Sequence, residues 1–298
     1  MFMSMPTESL TRILCAAVCM FGLVSITAAV PTALVLALKP ENNPEAMAAE
    51  RQELGAALAV TLGRPVQVIV PLSDAVINEG LANGTIDCGW LSATDVAKLP
   101  EPRAAGVLLA AQVKGATTYR SVWLSLADKP YASIADLRGK PVAFAKKTST
   151  SGCTVPLWDL GKQGLIAAGS SPEAFFGAGN CWYGTGYVSA VERVLSGTAE
   201  AAAVSDYVIE GDKHLTPEQK AKLKVIASQG PVPTHVLAVR TSLTVAERTA
   251  LRTALIALGG SVPALRDRVF GGPLIEVDEA AHLAPISAAL AFVKGLTL

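Results

Sequence analysis

A stretch rich in hydroxyl groups, residues 148–156, is the part of this sequence with the clearest potential for chemistry. It contains Thr-Ser-Thr-Ser-Gly-Cys-Thr-Val-Pro and follows the apolar run 141–145. That run is typical of a buried strand, and the apolar residues of 157–160 are typical of one face of a helix. Hydroxyl donors and free backbone N–H groups at a helix start can solvate an anion without a fixed positive charge. The stretch therefore predicts a site for a tetrahedral oxyanion.

Helix capping is a simpler explanation for the same hydroxyl groups. Ser149 or Thr150 at the start of a helix would accept a backbone N–H group and need not bind a ligand. Pro156 has no N–H and belongs in a first helical turn, so we expect the regular helix to begin near Gly152 or Cys153. The residues alone leave capping and anion binding open.

The elements that must position this turn alternate between apolar runs and amphipathic windows from residue 30 onward. This alternation is typical of an α/β fold with mostly parallel strands flanked by helices. Two expected strands, 119–126 and 236–240, would cross between two lobes. We predict lobe 1 from residues 30–120 plus 235–298 and lobe 2 from 121–234, with 230–233 as a connection.

Ligands of open sheets bind at the carboxyl ends of strands, in the cleft. Trp90, Tyr119 and Asp206 stand at such positions, as does the hydroxyl-rich turn. Each of the three also has an ordinary structural explanation, because aromatic side chains fill cores and carboxylates commonly end strands. We keep all three as candidates to line the cleft.

Composition and motifs exclude several classes of function. Acidic and basic residues balance to a formal net charge of zero, which provides no basic surface for nucleic acid or a membrane. Serine 149 lacks the flanking glycine of a nucleophile elbow, and no P-loop or dinucleotide fingerprint occurs. The three histidines lack metal-ligand spacing and are expected to be structural or on the surface: His214, His235 and His282. We expect no catalytic residue, no metal and no cofactor.

The N-terminus predicts export. Residues 1–12 are polar, residues 13–29 are apolar, and Thr27-Ala28-Ala29 provides small residues for cleavage, so we assign 1–29 as a signal peptide. A retained membrane anchor is the alternative, because the apolar run is long for a signal.

Export leaves three cysteines in an oxidising compartment: Cys88, Cys153 and Cys181. At most one disulfide can form among them. A Cys153–Cys181 bridge and three reduced thiols both remain open.

Three segments carry a resemblance to a known family. They are the residues Ala-Asp-Leu-Arg-Gly-Lys-Pro-Val-Ala-Phe at 135–144 followed by Ser-Thr-Ser-Gly, the helix 186–197, and Ala-Ala-Ala-Val-Ser-Asp at 201–206. Together they resemble the periplasmic solute-binding proteins of phosphonate, phosphite and phosphate ABC transporters, from about residue 34 to the end. The resemblance implies a two-lobed fold, a small phosphorus oxyanion as ligand, a membrane permease as partner and a monomeric protein with no chemical step.

The resemblance also implies roles for residues. The hydroxyl and N–H groups of the turn, at Ser149, Thr150, Ser151 and Gly152, would hold the phosphorus group, with Tyr119 and Asp206 completing the cleft. If Asp206 accepts a proton from the ligand, the site would favour a P–OH group over sulfate. Tyr187 stands where the family has a histidine, and the loop at Trp90 also departs from the family pattern. The walls that contact the rest of the ligand are therefore expected to differ.

Two other functions use the same features. A retained anchor would make the domain a ligand sensor for a signalling partner, and an enzyme would use the hydroxyl groups as an oxyanion grip on a phosphorus ester.

Overall fold

The computed structural model describes residues 32–40, 46–99 and 102–298. The predicted signal peptide, residues 1–29, lies outside this part, so its cleavage and the alternative of an anchor stay predictions. Within the described ranges no helix is both long enough and apolar enough to cross a membrane.

Eleven named strands form two sheets in this part of the chain. In chain order they are β1 Leu34–Ala37, β2 Val66–Ile69, β3 Cys88–Leu91, β4 Ala105–Ala111, β5 Thr118–Leu126, β6 Val142–Phe144, β7 Cys181–Tyr183, β8 Ala201–Ser205, β9 Leu223–Pro233, β10 Val236–Arg240 and β11 Leu274–Ile275. The six-stranded sheet has the order β11-β4-β10-β3-β1-β2, and the five-stranded sheet has the order β7-β6-β8-β5-β9. We call the residues around the first sheet lobe 1 and those around the second sheet lobe 2.

Helices cover both sheets. The α-helices are α1 Ala46–Leu62, α2 Asp74–Asn83, α3 Ala93–Ala97, α4 Val155–Lys162, α5 Glu173–Phe176, α6 Tyr187–Leu195, α7 Tyr207–Glu210, α8 Pro217–Ala221, α9 Val245–Ser261, α10 Pro263–Phe270 and α11 Glu279–Val293. A 3₁₀ helix at Ile134–Leu137 and a π-helix at Thr150–Thr154 complete the set. Helix α9 begins at a capping box formed by Thr244 and Glu247.

The predicted two-lobed α/β fold is confirmed, and its sheets are mixed rather than mostly parallel. Strand β1 is parallel to β2 and β3, and β6 is parallel to β7 and β8. The strands next to the crossovers, β4, β5, β9 and β10, make antiparallel pairs. A chain that leaves one sheet and later returns through an adjacent strand gives each sheet this antiparallel portion.

The predicted connection 230–233 is instead the end of β9, which begins at Leu223. Pro231 and Pro233 led to that error, because proline cannot donate to a sheet. Strand β9 is an edge strand that pairs only with β5, and one side of an edge strand needs no N–H donors. Prolines are therefore tolerated there.

Thr234 joins the two crossover connections between the lobes. Its Oγ1 lies 2.7 Å from the carbonyl oxygen of Ala111 and 3.0 Å from that of Thr117, and its N–H donates to Thr117. His282 of α11 lies 3.3 Å from the carbonyl oxygen of Thr234. The two crossovers and the C-terminal helix are thus held together at one point, while the predicted lobe boundaries near residues 120 and 234 stay a prediction.

Apolar clusters lie on both faces of each sheet. One of those in lobe 1 extends to Val155 of α4, and α11 packs against both α3 and α4. Near its end, Phe292 packs against the core of lobe 2. This helix therefore contacts both lobes beside the hydroxyl-rich turn.

Candidate functional site

The hydroxyl-rich turn connects β6 to a helix that begins with one π turn. The π-helix Thr150–Thr154 leads directly into α4, so the helix starts two residues before the predicted Gly152. Ser149 is the N-cap, and its Oγ accepts the N–H of Gly152 at 3.1 Å. The capping role predicted for Ser149 is present in the structure, and it does not prevent the same residue from lining a cavity.

Pro156 accounts for the shape of this helix start. It cannot donate to the carbonyl groups one turn earlier, those of Ser151 and Gly152. Both carbonyls have other donors, because Ser121 Oγ lies 2.6 Å from the Ser151 oxygen and Ala145 N lies 3.0 Å from the Gly152 oxygen. The turn is therefore anchored to β5 and to the end of β6.

The hydroxyl groups of the turn form a network across the cleft. Thr150 Oγ1 lies 2.5 Å from Thr94 Oγ1 of α3, which belongs to lobe 1. Ser151 Oγ lies 2.8 Å from Tyr187 Oη and 3.4 Å from Tyr119 Oη. Ser149 and Thr150 remain slightly exposed, whereas Ser151 is fully buried behind them.

A cavity of about 220 Å³ lies against this turn, between the lobes. The residues that line it are Lys39, Asp74, Ser92, Tyr119, Ala145, Lys146, Thr148, Ser149, Thr150, Thr185, Gly186, Tyr187 and His235. We call it the polar cavity. Among the predicted site residues it brings together Ser149, Thr150, Tyr119 and Tyr187, while Ser151 and Gly152 support its wall from behind.

Charged groups of both signs occur at the polar cavity. Lys39 Nζ lies 3.2 Å from Asp74 Oδ2 and 3.5 Å from Asp95 Oδ2. Asp74 Oδ1 is buried and has no hydrogen-bond partner among the described residues. Lys146 adds a second positive charge. The cavity therefore offers hydroxyl donors, two ammonium groups and the carboxylate of Asp74 as a hydrogen-bond acceptor.

A second cavity, of about 430 Å³, adjoins the polar cavity and shares Lys39, Tyr119, Tyr187 and His235 with it. Trp90, predicted as a cleft residue, lines this larger cavity. We call it the aromatic cavity.

Asp206 lies apart from both cavities in the described structure. Its Oδ2 accepts the N–H of Arg120 at 2.9 Å, and its Oδ1 accepts the hydroxyl of Ser205 at 3.2 Å. Burial raises the pKa of the Asp206 carboxyl, and the N–H of Arg120 opposes this. The carboxylate thus joins β5 to the end of β8, and its role as a proton acceptor from the ligand stays a prediction.

Sequence reasoning missed Lys39, Asp74, Thr94 and His235. Lys39 lies just after the carboxyl end of β1. A place at the carboxyl end of a strand was the same criterion that had selected Trp90. The start of α3 carries a capping box in which Ser92 Oγ and the Asp95 carboxylate bond reciprocally to the backbone. That Ser-x-x-Asp pattern was a usable signal for the helix that presents Thr94.

His235 lines both cavities and is neutral. Burial, followed by the charge of Lys39, lowers its pKa from 6.5 to about 3. Its ring centroid lies 5.5 Å from that of Trp90. The prediction that His235 is only structural or on the surface missed its place at the junction of the two cavities.

We expect His235 to make stability depend on pH. The unfolded chain binds a proton on this residue below about pH 6.5, but the folded chain does so only near pH 3. The folded state should therefore lose up to about 2 kcal/mol as the pH falls from 6.5 to 5. Urea unfolding at pH 7 and pH 5 should show a smaller loss for His235→Gln than for the wild type. Equal losses would contradict the buried neutral imidazole.

The three free cysteines of the described chain are Cys88, Cys153 and Cys181. Of the two alternatives that the sequence left open, the structure has the three free thiols and not the Cys153–Cys181 bridge. Burial raises the pKa of Cys153 and of Cys181 to about 12, so neither is a reactive thiolate. Among the described residues no cluster of three or more His, Cys, Asp or Glu could hold a metal ion.

Comparison with known proteins finds similar sequences and similar structures. The phosphate-import protein PhnD of Mycolicibacterium smegmatis is 25% identical over 184 residues, which span 60% of this chain and 57% of that protein. XAC2383 from Xanthomonas citri, in a structure bound to ATP, superposes with a TM-score of 0.75 at 20% identity, covering 88% of this chain and 98% of that one. PhnD1 from Prochlorococcus marinus, in complex with methylphosphonate, gives 0.70 at 16% identity, covering 89% and 99%. The structural likenesses show a common fold.

A family model provides the wider match. The model of periplasmic substrate-binding proteins of phosphonate ABC transporters matches residues 36–277, which include both sheets and the hydroxyl-rich turn. The chain therefore belongs to the family of periplasmic phosphonate-binding proteins of ABC transporters.

Proposed function

We propose that this protein is exported, binds a small phosphorus oxyanion in the polar cavity and delivers it to an ABC permease. The ligand would be a phosphonate, phosphite or phosphate. The observation that carries the proposal is the position of the Ser149 and Thr150 hydroxyls on a cavity between two lobes, next to Lys39 and Lys146. Phosphate, which the Mycolicibacterium smegmatis protein imports, and methylphosphonate, which is bound in the Prochlorococcus marinus structure, belong to the same chemical class.

The groups at the polar cavity can supply the free energy that such binding needs. An anion that leaves water must regain an equivalent set of donors, because an unpaired buried charge is very unfavourable. Charge-assisted hydrogen bonds contribute about 1.5–3 kcal/mol each. Three to five of them would support about micromolar affinity after the entropic cost of association.

The arrangement favours binding over catalysis. A serine nucleophile needs a base within hydrogen-bond reach. Ser149 Oγ instead accepts the N–H of Gly152, and Ser151 Oγ bonds to the hydroxyl groups of Tyr119 and Tyr187. These hydroxyls are held as donors and acceptors for a bound group.

Asp74 is the group that would select the protonation state of the ligand. Its carboxylate lines the polar cavity and is paired there with Lys39 through Oδ2. This carboxylate would repel a bound anion unless the anion donates a hydrogen bond to it. A P–OH group can do so, whereas sulfate carries no proton near neutral pH. We therefore transfer to Asp74 the selective role that the sequence had suggested for Asp206.

Calorimetry with phosphate, methylphosphonate and sulfate tests the proposal. The wild type should bind at least one of the phosphorus anions about 100-fold or more tightly than sulfate, because sulfate has no proton with which to bond the Asp74 carboxylate. Asp74→Asn places an amide donor there and should narrow this preference to about tenfold or less. Failure of the wild type to bind any phosphorus anion would contradict the proposed function.

Asp206→Asn is the matched control for the selectivity. Its remaining carbonyl oxygen can still accept the N–H of Arg120, so the fold is preserved. We expect it to keep the wild-type preference. If Asp206→Asn narrows the preference and Asp74→Asn does not, then Asp206 is the proton acceptor after all.

A further inference from the structure

The aromatic cavity is larger than the phosphorus group needs. The polar cavity of about 220 Å³ already contains the hydroxyl donors, and the aromatic cavity adds about 430 Å³ beside it. The two have Lys39, Tyr119, Tyr187 and His235 in common. A ligand held by its phosphorus group in the first would extend its substituent into the second.

The walls of the aromatic cavity come from both lobes and are rich in rings. On the side of lobe 1, the rings of Trp90 and Phe270 meet edge to face with centroids 5.1 Å apart. On the side of lobe 2, Tyr119 and Tyr207 stack with centroids 4.8 Å apart. Aromatic surfaces of this kind favour flat, apolar groups that stack or meet them at an edge.

The charged side chains that line the aromatic cavity are cationic. They are Lys39, Lys213 and Arg268, and none of the described lining residues is Asp or Glu. Arg268 is paired with Glu50 and Lys39 with Asp74. An ammonium group on the substituent would find no carboxylate in this lining to replace its hydration, whereas an uncharged ring needs none.

We propose that the ligand of this protein is a phosphonate or phosphate monoester with an uncharged aromatic substituent, which the aromatic cavity binds between Trp90 and Tyr207. The inference rests on the proposed function, because it needs the phosphorus group in the polar cavity. It names a narrower substrate class than phosphate or a short alkylphosphonate.

A ligand series measured by calorimetry tests the inference on the wild-type protein. Methylphosphonate, 2-aminoethylphosphonate, benzylphosphonate and phenyl phosphate all carry a terminal PO₃ group, which the first three attach through carbon and phenyl phosphate through oxygen. Burial of a phenyl ring should make benzylphosphonate bind at least about tenfold more tightly than methylphosphonate, and 2-aminoethylphosphonate should bind no more tightly than methylphosphonate. Phenyl phosphate has the same shape as benzylphosphonate, so comparing the two distinguishes a phosphate ester from a phosphonate as the source of the group.

A variant that fills the aromatic cavity tests whether the phenyl ring of benzylphosphonate binds there. Val113 lines the aromatic cavity but not the polar cavity. Val113→Phe should remove the advantage of benzylphosphonate and leave methylphosphonate affinity unchanged. Val60→Phe is the matched control, because Val60 is 85% exposed on α1. If Val113→Phe does not fold, Tyr207→Ala is the second variant. It removes one aromatic wall of the cavity and should reduce the advantage of benzylphosphonate over methylphosphonate.

The outcomes separate the two proposals. Methylphosphonate binding as tightly as benzylphosphonate, or an advantage for 2-aminoethylphosphonate, would overturn the inference and leave the proposed function standing. Binding of no member of the series would contradict the proposed function itself, and the inference would fall with it.

Discussion

Replacing both Ser149 and Thr150 by alanine is expected to abolish the ligand-induced rise in melting temperature of this protein. Both hydroxyls line the polar cavity, and both would donate to a bound phosphorus oxyanion. Two lost charge-assisted bonds should weaken binding at least about 100-fold. Since a ligand stabilises the folded state only through its affinity for it, the thermal shift disappears at ligand concentrations that saturate the wild type.

The double variant also removes contacts that do not involve a ligand. Ser149 caps the helix start through Gly152, and its loss should lower the free energy of unfolding by about 1 kcal/mol. Thr216→Ala is the matched control, because Thr216 caps α8 in lobe 2 in the same way, away from both cavities. Thr216→Ala should lose about 1 kcal/mol for its cap, less than the double variant, which also removes the buried hydrogen bond between Thr150 and Thr94. It should keep the full ligand shift. A double variant that binds phosphate or methylphosphonate as tightly as the wild type would show that these hydroxyls do not form the site.

The hydroxyl-rich turn was predictable because its signal is local. An apolar strand, a cluster of Ser and Thr, a glycine and a proline all lie within the sixteen residues 141–156, and each constrains the same backbone segment. Ser149 as a cap and Pro156 inside the helix start follow from those types. The π turn was not predictable, because it depends on Ser121, which supplies a donor from β5.

The part of the site outside the hydroxyl-rich turn was hidden because it is assembled from distant segments. Lys39 follows β1, Asp74 begins α2 and His235 lies between β9 and β10. No short window of sequence contains two of them. Asp206 shows the reverse case: its position at the end of a buried strand was predicted correctly, but the direction of its side chain depends on β5 beside it.

Hydrophobic patterns predicted the strands of the two sheets but not whether neighbouring strands are parallel or antiparallel. Buried runs such as those of β1 and β10 look alike in sequence, although β1 has parallel neighbours and β10 has antiparallel ones. Strand direction depends on how the chain returns to the sheet, which composition does not record. The two crossovers were nevertheless predicted, because their strands lie far apart in sequence and flank the middle lobe.

Gly152 connects the turn to the sheet beneath it. A Cβ at this position would lie 2.5 Å from Ala145 Cβ, 2.9 Å from Ser149 Oγ and 3.2 Å from the carbonyl oxygen of Ala203. Two of these three atoms belong to backbone or to a side chain of one carbon, so they cannot move aside without moving strands. The helix start approaches β8 this closely only because residue 152 has no side chain.

Gly152→Ala is therefore expected to displace the turn and weaken ligand binding at least about tenfold, because the hydroxyl donors lose their positions. Overpacking should also lower the free energy of unfolding by about 1–3 kcal/mol. Gly260→Ala is the matched control: its Cβ would meet no atom within 4 Å on α9, so binding should be unchanged and stability equal or slightly higher. Urea unfolding and calorimetry on both variants check this. Wild-type affinity in Gly152→Ala would mean that the close approach of this helix to β8 is not what positions the donors.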